Sequence, residues 1–180
     1  MRQAWRKELE PGFMPATIRT GWRDDKLLLF AELTDVDIFN AATSLNQCTW
    51  LLGDVLEVFL QPVDQPGYVE FHVTPENNRL QLAFPRAGGK AQVIQDRPFH
   101  SQTWVDQDGR RWSVYMEVPT VSVIGNHKSL LDRQCRVSFS RYDYTRGRNQ
   151  PVISSTSAHQ EPDFHRFHEW SLLHFQTIAP

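Results

Sequence analysis

The sequence predicts an all-β fold, a β-sandwich of jelly-roll or immunoglobulin-like type, on three observations. Short apolar-rich runs alternate along the chain with residues that favour turns. Within those runs the apolar side chains recur at every second position, the period of a strand. No long amphipathic helical pattern interrupts them. Short strands at regular spacing, with marked turns between them, are the pattern of a two-sheet sandwich.

The strands expected, in order, are Ala16–Trp22, Leu27–Thr34, Gly53–Gln61, Tyr68–Thr74, Arg79–Phe84, Ala91–Gln95, Gln102–Val105, Arg111–Val118, Gln134–Tyr144 and Trp170–Gln176. Turn chemistry separates them. The first two flank Arg-Asp-Asp-Lys at 23–26, and the fourth and fifth flank Glu-Asn-Asn at 76–78. Gly88 and Gly89 follow the fifth, and Asp-Gln-Asp-Gly at 106–109 joins the seventh to the eighth. A short helical turn is expected within Val121–Leu130. No repeat, low-complexity tract or linker divides the chain, so one domain over residues 1–180 is expected.

Alternation assigns faces. Val69, Phe71 and Val73 point one way, and Tyr68, Glu70, His72 and Thr74 the other. Leu56, Val58 and Leu60 belong to the core, leaving Val55, Glu57 and Phe59 on the side of Glu70. Leu80, Leu82 and Phe84 are expected to point inward. Trp112, Val114, Met116 and Val118 form a further core stripe, with Arg111, Tyr115 and Glu117 opposite. The Glu70 face is half apolar, which suggests a shallow concave surface rather than open solvent.

Composition narrows the functions. The 180 residues carry 19 Lys and Arg against 21 Asp and Glu, a formal charge of −2. That balance argues against a nucleic acid or an acidic membrane as partner. Arg133, Arg136, Arg141, Arg146 and Arg148 form a local basic run beside Tyr142 and Tyr144, read as strand-edge or ligand-facing charges. Cys48 and Cys135 give neither a disulfide framework nor metal-ligand spacing. A chain of this size buries roughly 70% of its unfolded surface without staples. No basic start followed by an apolar run precedes residue 26, and no run approaches the length of a membrane span. A soluble, cytoplasmic protein is the default expectation.

The chemistry concentrates in one hairpin, Trp50 to Leu60 and Tyr68 to Thr74. A turn centred near Val63 and Asp64 would set Phe59 opposite Tyr68, Glu57 opposite Glu70 and Val55 opposite His72. Directly opposed carboxylates destabilise a sheet unless a cation or donors lie between them, or one is protonated. Arg141 is the internal donor expected, and a hydroxyl-rich ligand the external one. A cross-strand ladder of Glu57, Glu70, His72 and Arg141 with no ligand is the competing reading. Trp50, after the polar loop 44–49, either stacks on the C–H face of a pyranose or plugs the end of the sandwich.

Other clusters point less firmly. His165 and His168, with His159 and His174 nearby, form an H-x-x-H pair lacking a third ligand at fixed spacing, which does not define zinc. Asp35 and Asp37 follow a strand in an oxygen-rich loop that would suit calcium, although two acids do not define a site. Haem would need Met and His axial ligands, and Met116 points inward while Met14 lies near the start.

The segments GWRDDKLLLFAELTDVDI (21–38), WLLGDVLEVFL (50–60), YVEFHVTP (68–75) and SFSRYDYT (138–145) resemble the family 9 carbohydrate-binding modules and their DOMON-like relatives, from about Thr17 to Phe175. The resemblance implies a jelly-roll sandwich that binds sugars or oligosaccharide ends and cleaves no bond. It makes Trp50 one wall of an aromatic clamp and Glu57 the acid accepting hydroxyl hydrogen bonds. Glu70 and His72 sit where polar sugar contacts arise, His72 in place of a frequent arginine. The second clamp tryptophan is replaced, its position falling near His159, and one residue is inserted between Trp50 and Asp54. The resemblance also implies a structural calcium ion as a candidate, frequent export, and association with glycan-degrading enzymes. A glycoside hydrolase using Glu57 and Glu70 is the alternative; the sequence lacks a clear arrangement for holding one carboxyl protonated and the other ionised.

Overall fold

A computed structural model describes residues 1–95, 98–125, 130–131 and 133–176. Eleven strands follow in order: β1 (Ala16–Arg23), β2 (Lys26–Thr34), β3 (Val55–Pro62), β4 (Tyr68–Val73), β5 (Arg79–Phe84), β6 (Gln92–Val93), β7 (His100–Asp106), β8 (Arg111–Pro119), β9 (Gln134–Asp143), β10 (Val152–Ser155) and β11 (Ser171–His174). One short helix, α1 (Thr120–Ile124), follows β8 and is closed by Gly125 in the left-handed conformation. It overlaps the start of the expected helical turn, of which residues 126–129 fall outside the described residues. No helix among the described residues is long and apolar enough to cross a membrane.

The strands form two antiparallel sheets, ordered β1-β2-β8-β7 and β10-β9-β3-β4-β5-β6, with β11 also paired to β9. This is the all-β sandwich that the alternation predicts. The chain crosses between sheets after β2, β6 and β8. Between the layers Leu29, Leu33, Leu56, Val58, Phe71, Trp112 and Met116 pack into the main core, each fully buried.

The larger sheet is covered on its outer face as well. Phe59, Tyr68, Leu80, Leu82 and Phe84 form a second apolar layer there with Phe164 and Trp170 from the 156–170 connection. Every residue of β3 and of β4 is consequently buried. This layer corrects one expectation: Leu80, Leu82 and Phe84 do not point into the main core. They pair across from His72, Glu70 and Tyr68 and share their outer face, while Ala83 faces inward. Period-two alternation reveals that one stripe of β5 is buried, but not under which layer.

The hairpin register also differs. Glu57 lies opposite His72, and Phe59 opposite Glu70, so the pairing pivots between Asp64 and Gln65. A slip of two residues between partners leaves every side chain on its expected face, because the strand period is two. β10 escapes sequence reading: Val152-Ile-Ser-Ser lacks alternation and is recruited by pairing with Ser140–Asp143 of β9.

Truncating Phe71 to Ala empties the space between the sheets and should lower the unfolding free energy by about 3–5 kcal/mol. Urea denaturation with an unchanged m-value checks this.

Candidate functional site

Strands β3 and β4 carry Glu57, Glu70 and His72 on the outer face of the larger sheet. Paired residues share a face, so Tyr142 joins them through its pairing with Val55, and Leu82 through its pairing with Glu70. Above them the outer layer leaves a cavity of about 250 Å³ lined by Trp50, Glu57, Glu70, Leu82, Phe84, Ala91, Tyr142 and His165. A larger cavity of about 340 Å³ lies near the β4–β5 end, among Pro66, Tyr68, Pro85 and Ile94, and among the described residues no carboxylate, imidazole or cationic side chain lines it. The chemistry therefore belongs to the smaller one.

Trp50 reaches the cavity from a 3-10 turn, Thr49–Leu51, just before β3. The Tyr144 hydroxyl donates to its carbonyl at 2.7 Å, and the Asn40 amide donates to the carbonyls of Thr49 and Asp54 at 2.9 and 3.0 Å. Gly53, at φ +143°, lets this loop pass against the backbone of Phe39 and Asn40; a Cβ there would sit 2.4 Å from the Phe39 carbonyl oxygen. The Trp50 ring meets His72 edge-on, with centroids 5.6 Å apart.

At the cavity floor, Glu57 and Glu70 are each 3% exposed and His72 is fully buried. His72 Nδ1 hydrogen-bonds with the Thr49 hydroxyl at 2.8 Å. Its Nε2 bonds to Glu70 Oε1 and lies 3.5 Å from Glu57 Oε1. Burial first, and the nearby Glu70 second, push Glu57 well above the usual carboxylate range. Burial and the same acids raise the Tyr142 phenol, and burial and Glu70 that of Tyr68, so both remain protonated. The Tyr68 hydroxyl shares a 2.8 Å hydrogen bond with His165 Nδ1, which fixes that ring at the cavity wall.

The structure thus brings Trp50, Glu57, Glu70 and His72 together, as expected, and separates two other candidates from them. Arg141 pairs with Leu56, and its parity sends it through the sheet to the inner face. There, fully buried, it donates to the Thr34 carbonyl at 2.7 Å and to Asp35 at 2.9 Å, and it pairs with Asp143 at 3.1 Å. It is not the donor between Glu57 and Glu70. His159 is buried 3.2 Å from Glu169 and beside Phe164, and it does not line the cavity. The aromatic rings that share the cavity with Trp50 are instead Phe84, Tyr142 and His165.

Sequence reading missed these three as cavity-lining residues. Parity with Glu57 and Glu70 carried the signal for Tyr142 and Phe84. His165 depends on a long connection and carried none. The four C-terminal histidines do not converge on one point: His165 bonds to Tyr68, His174 to Gln176 at 3.5 Å and His159 to Glu169, while the exposed His168 lies 3.7 Å from the other oxygen of Glu169. Met116 is sealed in the core and no methionine lines the cavity, so this site offers haem no axial pair.

The residues proposed for calcium fit the ion poorly. Asp35 is engaged by Arg141, and Asp37 by the backbone amide and guanidinium of Arg146. Asp54, close to Asp35 and Asp143, accepts the amides of Phe39 and Tyr144 at 2.8 and 2.7 Å. One guanidinium occupies the role of the cation. It cannot neutralise three carboxylates, so burial and Asp35 raise Asp54 to about 8, and burial outweighs Arg141 to raise Asp143 to about 7.

No protein-family model matches the sequence, and no curated protein does. Solved structures match it closely in shape. A Bacteroides uniformis protein described as a candidate carbohydrate-binding protein superposes with a TM-score of 0.74 at 15% identity, over 90% of this chain and 78% of that one. A family 9 carbohydrate-binding module from Caldicellulosiruptor kristjanssonii, in complex with glucose, gives 0.67 at 11% identity, over 92% and 78%. The same organism's family 9 module in complex with cellotriose gives 0.66 at 12%, over 92% and 77%. The chain therefore has a fold like that of the family 9 modules.

Replacing Arg141 by Met leaves Asp35, Asp54 and Asp143 without their cation and should cost about 3–5 kcal/mol of stability at neutral pH. The native cluster also sets a pH slope. Asp54 and Asp143 hold their protons more tightly folded than unfolded, so their contribution is fullest below about pH 4 and falls as pH rises through about 7 and 8. Urea midpoints at pH 5, 7 and 9 should show this decline, and Asp143→Asn should flatten the part between pH 5 and 7.

Proposed function

We propose that this protein binds carbohydrate at the Trp50 cavity without cleaving it. The observation that carries the reading is the pairing of an aromatic wall with a buried polar floor. Trp50, half-buried, offers a π-face to the apolar C–H side of a sugar ring, while Glu57, Glu70 and His72 bond its hydroxyls. A volume of about 250 Å³ lies below the usual 300–1,000 Å³ of ligand pockets, which suits one ring or the end of a chain. The glucose and cellotriose complexes of the structural neighbours support the same ligand class. A role beside glycan-degrading enzymes accords with such a module.

The hydrolase alternative is less well supported. Catalytic carboxyls flank a scissile bond, roughly 5–5.5 Å apart in retaining enzymes and 6.5–9.5 Å in inverting ones. Here oxygens of Glu57 and Glu70 approach within 4.8 Å of one another and both face the His72 imidazole, which competes for the space a glycosidic oxygen would need.

Titration of the protein with a broad glycan panel, read by tryptophan fluorescence and calorimetry, tests the reading. At least one mono- or oligosaccharide should bind saturably. Trp50→Ala should weaken it by about tenfold or more, the loss of one stacking contact of about 1.5 kcal/mol, with the β-sheet circular dichroism intact. Glu57→Gln should weaken it without releasing or abolishing any reducing sugar. No response across the panel would sink the reading.

A further inference from the structure

The cavity floor and the Arg141 cluster pose the same electrostatic problem and solve it differently. Both gather buried acids within 4.8 Å of one another. On the inner face a guanidinium sits among the acids. On the outer face, among the described residues, no lysine or arginine lines the cavity, and His72 is the one cation-forming side chain within 4 Å of Glu57 or Glu70. Glu70 Oε2, buried in that floor, has no hydrogen-bond partner among the described residues. A buried carboxylate oxygen left unpaired is costly, and two adjacent ones more so.

His72 is held as metal-binding imidazoles are held. The Thr49 hydroxyl sits 2.8 Å from Nδ1 and can accept its proton in a hydrogen bond. In that tautomer, with a metal ion replacing the Nε2 proton shared with Glu70, the Nε2 lone pair faces both glutamates. Rotation of the ring is limited further by the edge contact with Trp50. One imidazole nitrogen and two carboxylates then converge on a single point at the base of an open cavity.

We propose that Glu57, Glu70 and His72 form a site for a first-row divalent transition-metal ion of the zinc class. Three protein ligands with the remaining position open to the cavity is the pattern of an accessible zinc site. The nitrogen donor and the low ligand number favour zinc over calcium, which takes six to eight oxygens. The open position faces the space assigned to the ligand, where a hydroxyl or a water completes the shell. The ion site uses the same floor as the sugar reading but rests on the geometry of these three residues alone, with or without a sugar above them.

The test uses the full chain, dialysed against a chelator and then freed of it, titrated with zinc by calorimetry in the absence of sugar. One saturable site is expected, with a zinc-dependent rise in unfolding temperature and no comparable response to calcium. Glu70→Gln, nearly isosteric, and His72→Gln should each abolish the site. Thr49→Val, which removes only the hydroxyl behind the imidazole, should weaken it about 10–100-fold. His168→Ala, an exposed histidine outside the cavity, should leave it unchanged. Absence of saturable zinc binding by the native chain overturns the proposal, as does native affinity in folded Glu70→Gln. Glycan binding measured separately in chelator and with zinc bound keeps the two readings distinguishable: zinc binding with no glycan response in either condition supports the ion site and removes the sugar reading.

Discussion

Phe164 and Trp170, delivered by the connection between β10 and β11, lie on the outer face of the larger sheet against Phe59 and Tyr68. The Trp170 indole donates to the Phe164 carbonyl at 2.8 Å, so the two rings enter as one unit. Their contact turns a sheet with one dry face into a sheet with two. Once β3 and β4 are buried on both sides, whatever polar residues they carry must be satisfied inside the protein or by something that enters the remaining gap. The cavity at Glu57 and Glu70 is that gap. Its walls, its depth and the perturbed acidity of Glu57 all follow from the outer layer being in place.

A sheet covered twice can afford charge only where a counter-charge is built in or supplied. Arg141 is built in: it passes inward from β9, reaches Asp35 at the end of β2, and so ties the two sheets together through one guanidinium. The neighbouring Tyr142, one residue along the same strand, faces the opposite way into the cavity. Strand geometry therefore places a stabilising internal cation and a cavity-lining phenol back to back. Among the described residues the outer acids have only the His72 imidazole beside them, and this asymmetry is what sets the outer cluster apart from the inner one.

Much of the architecture was legible because sandwich strands follow simple rules. All ten expected strands overlap observed ones, and the core stripe of Trp112, Val114, Met116 and Val118 lies where alternation places it. Trp50, Glu57, Glu70 and His72 were legible as a group because a period of two survives an error of two in register. Arg141 was misplaced because its chemistry, not its parity, suggested its partner. β10 was missed because Ser154 and Ser155 gain strand geometry from β9 rather than from their own propensity.

By itself, the sequence determined which residues alternate, where the chain turns, and that two acids and a histidine share one face of a hairpin. These are local consequences of side-chain period and turn chemistry. Only the tertiary structure decided that this face is roofed, that Leu80, Leu82 and Phe84 serve the roofed side, and that His165, not His159, joins Trp50 at the cavity. Those outcomes depend on a fifteen-residue connection folding back over the sheet, residues 156–170, and on the apolar area it buries there. Such long-range packing leaves no periodic trace in the chain, because the residues that meet are nearly a hundred positions apart, as Tyr68 and His165 are.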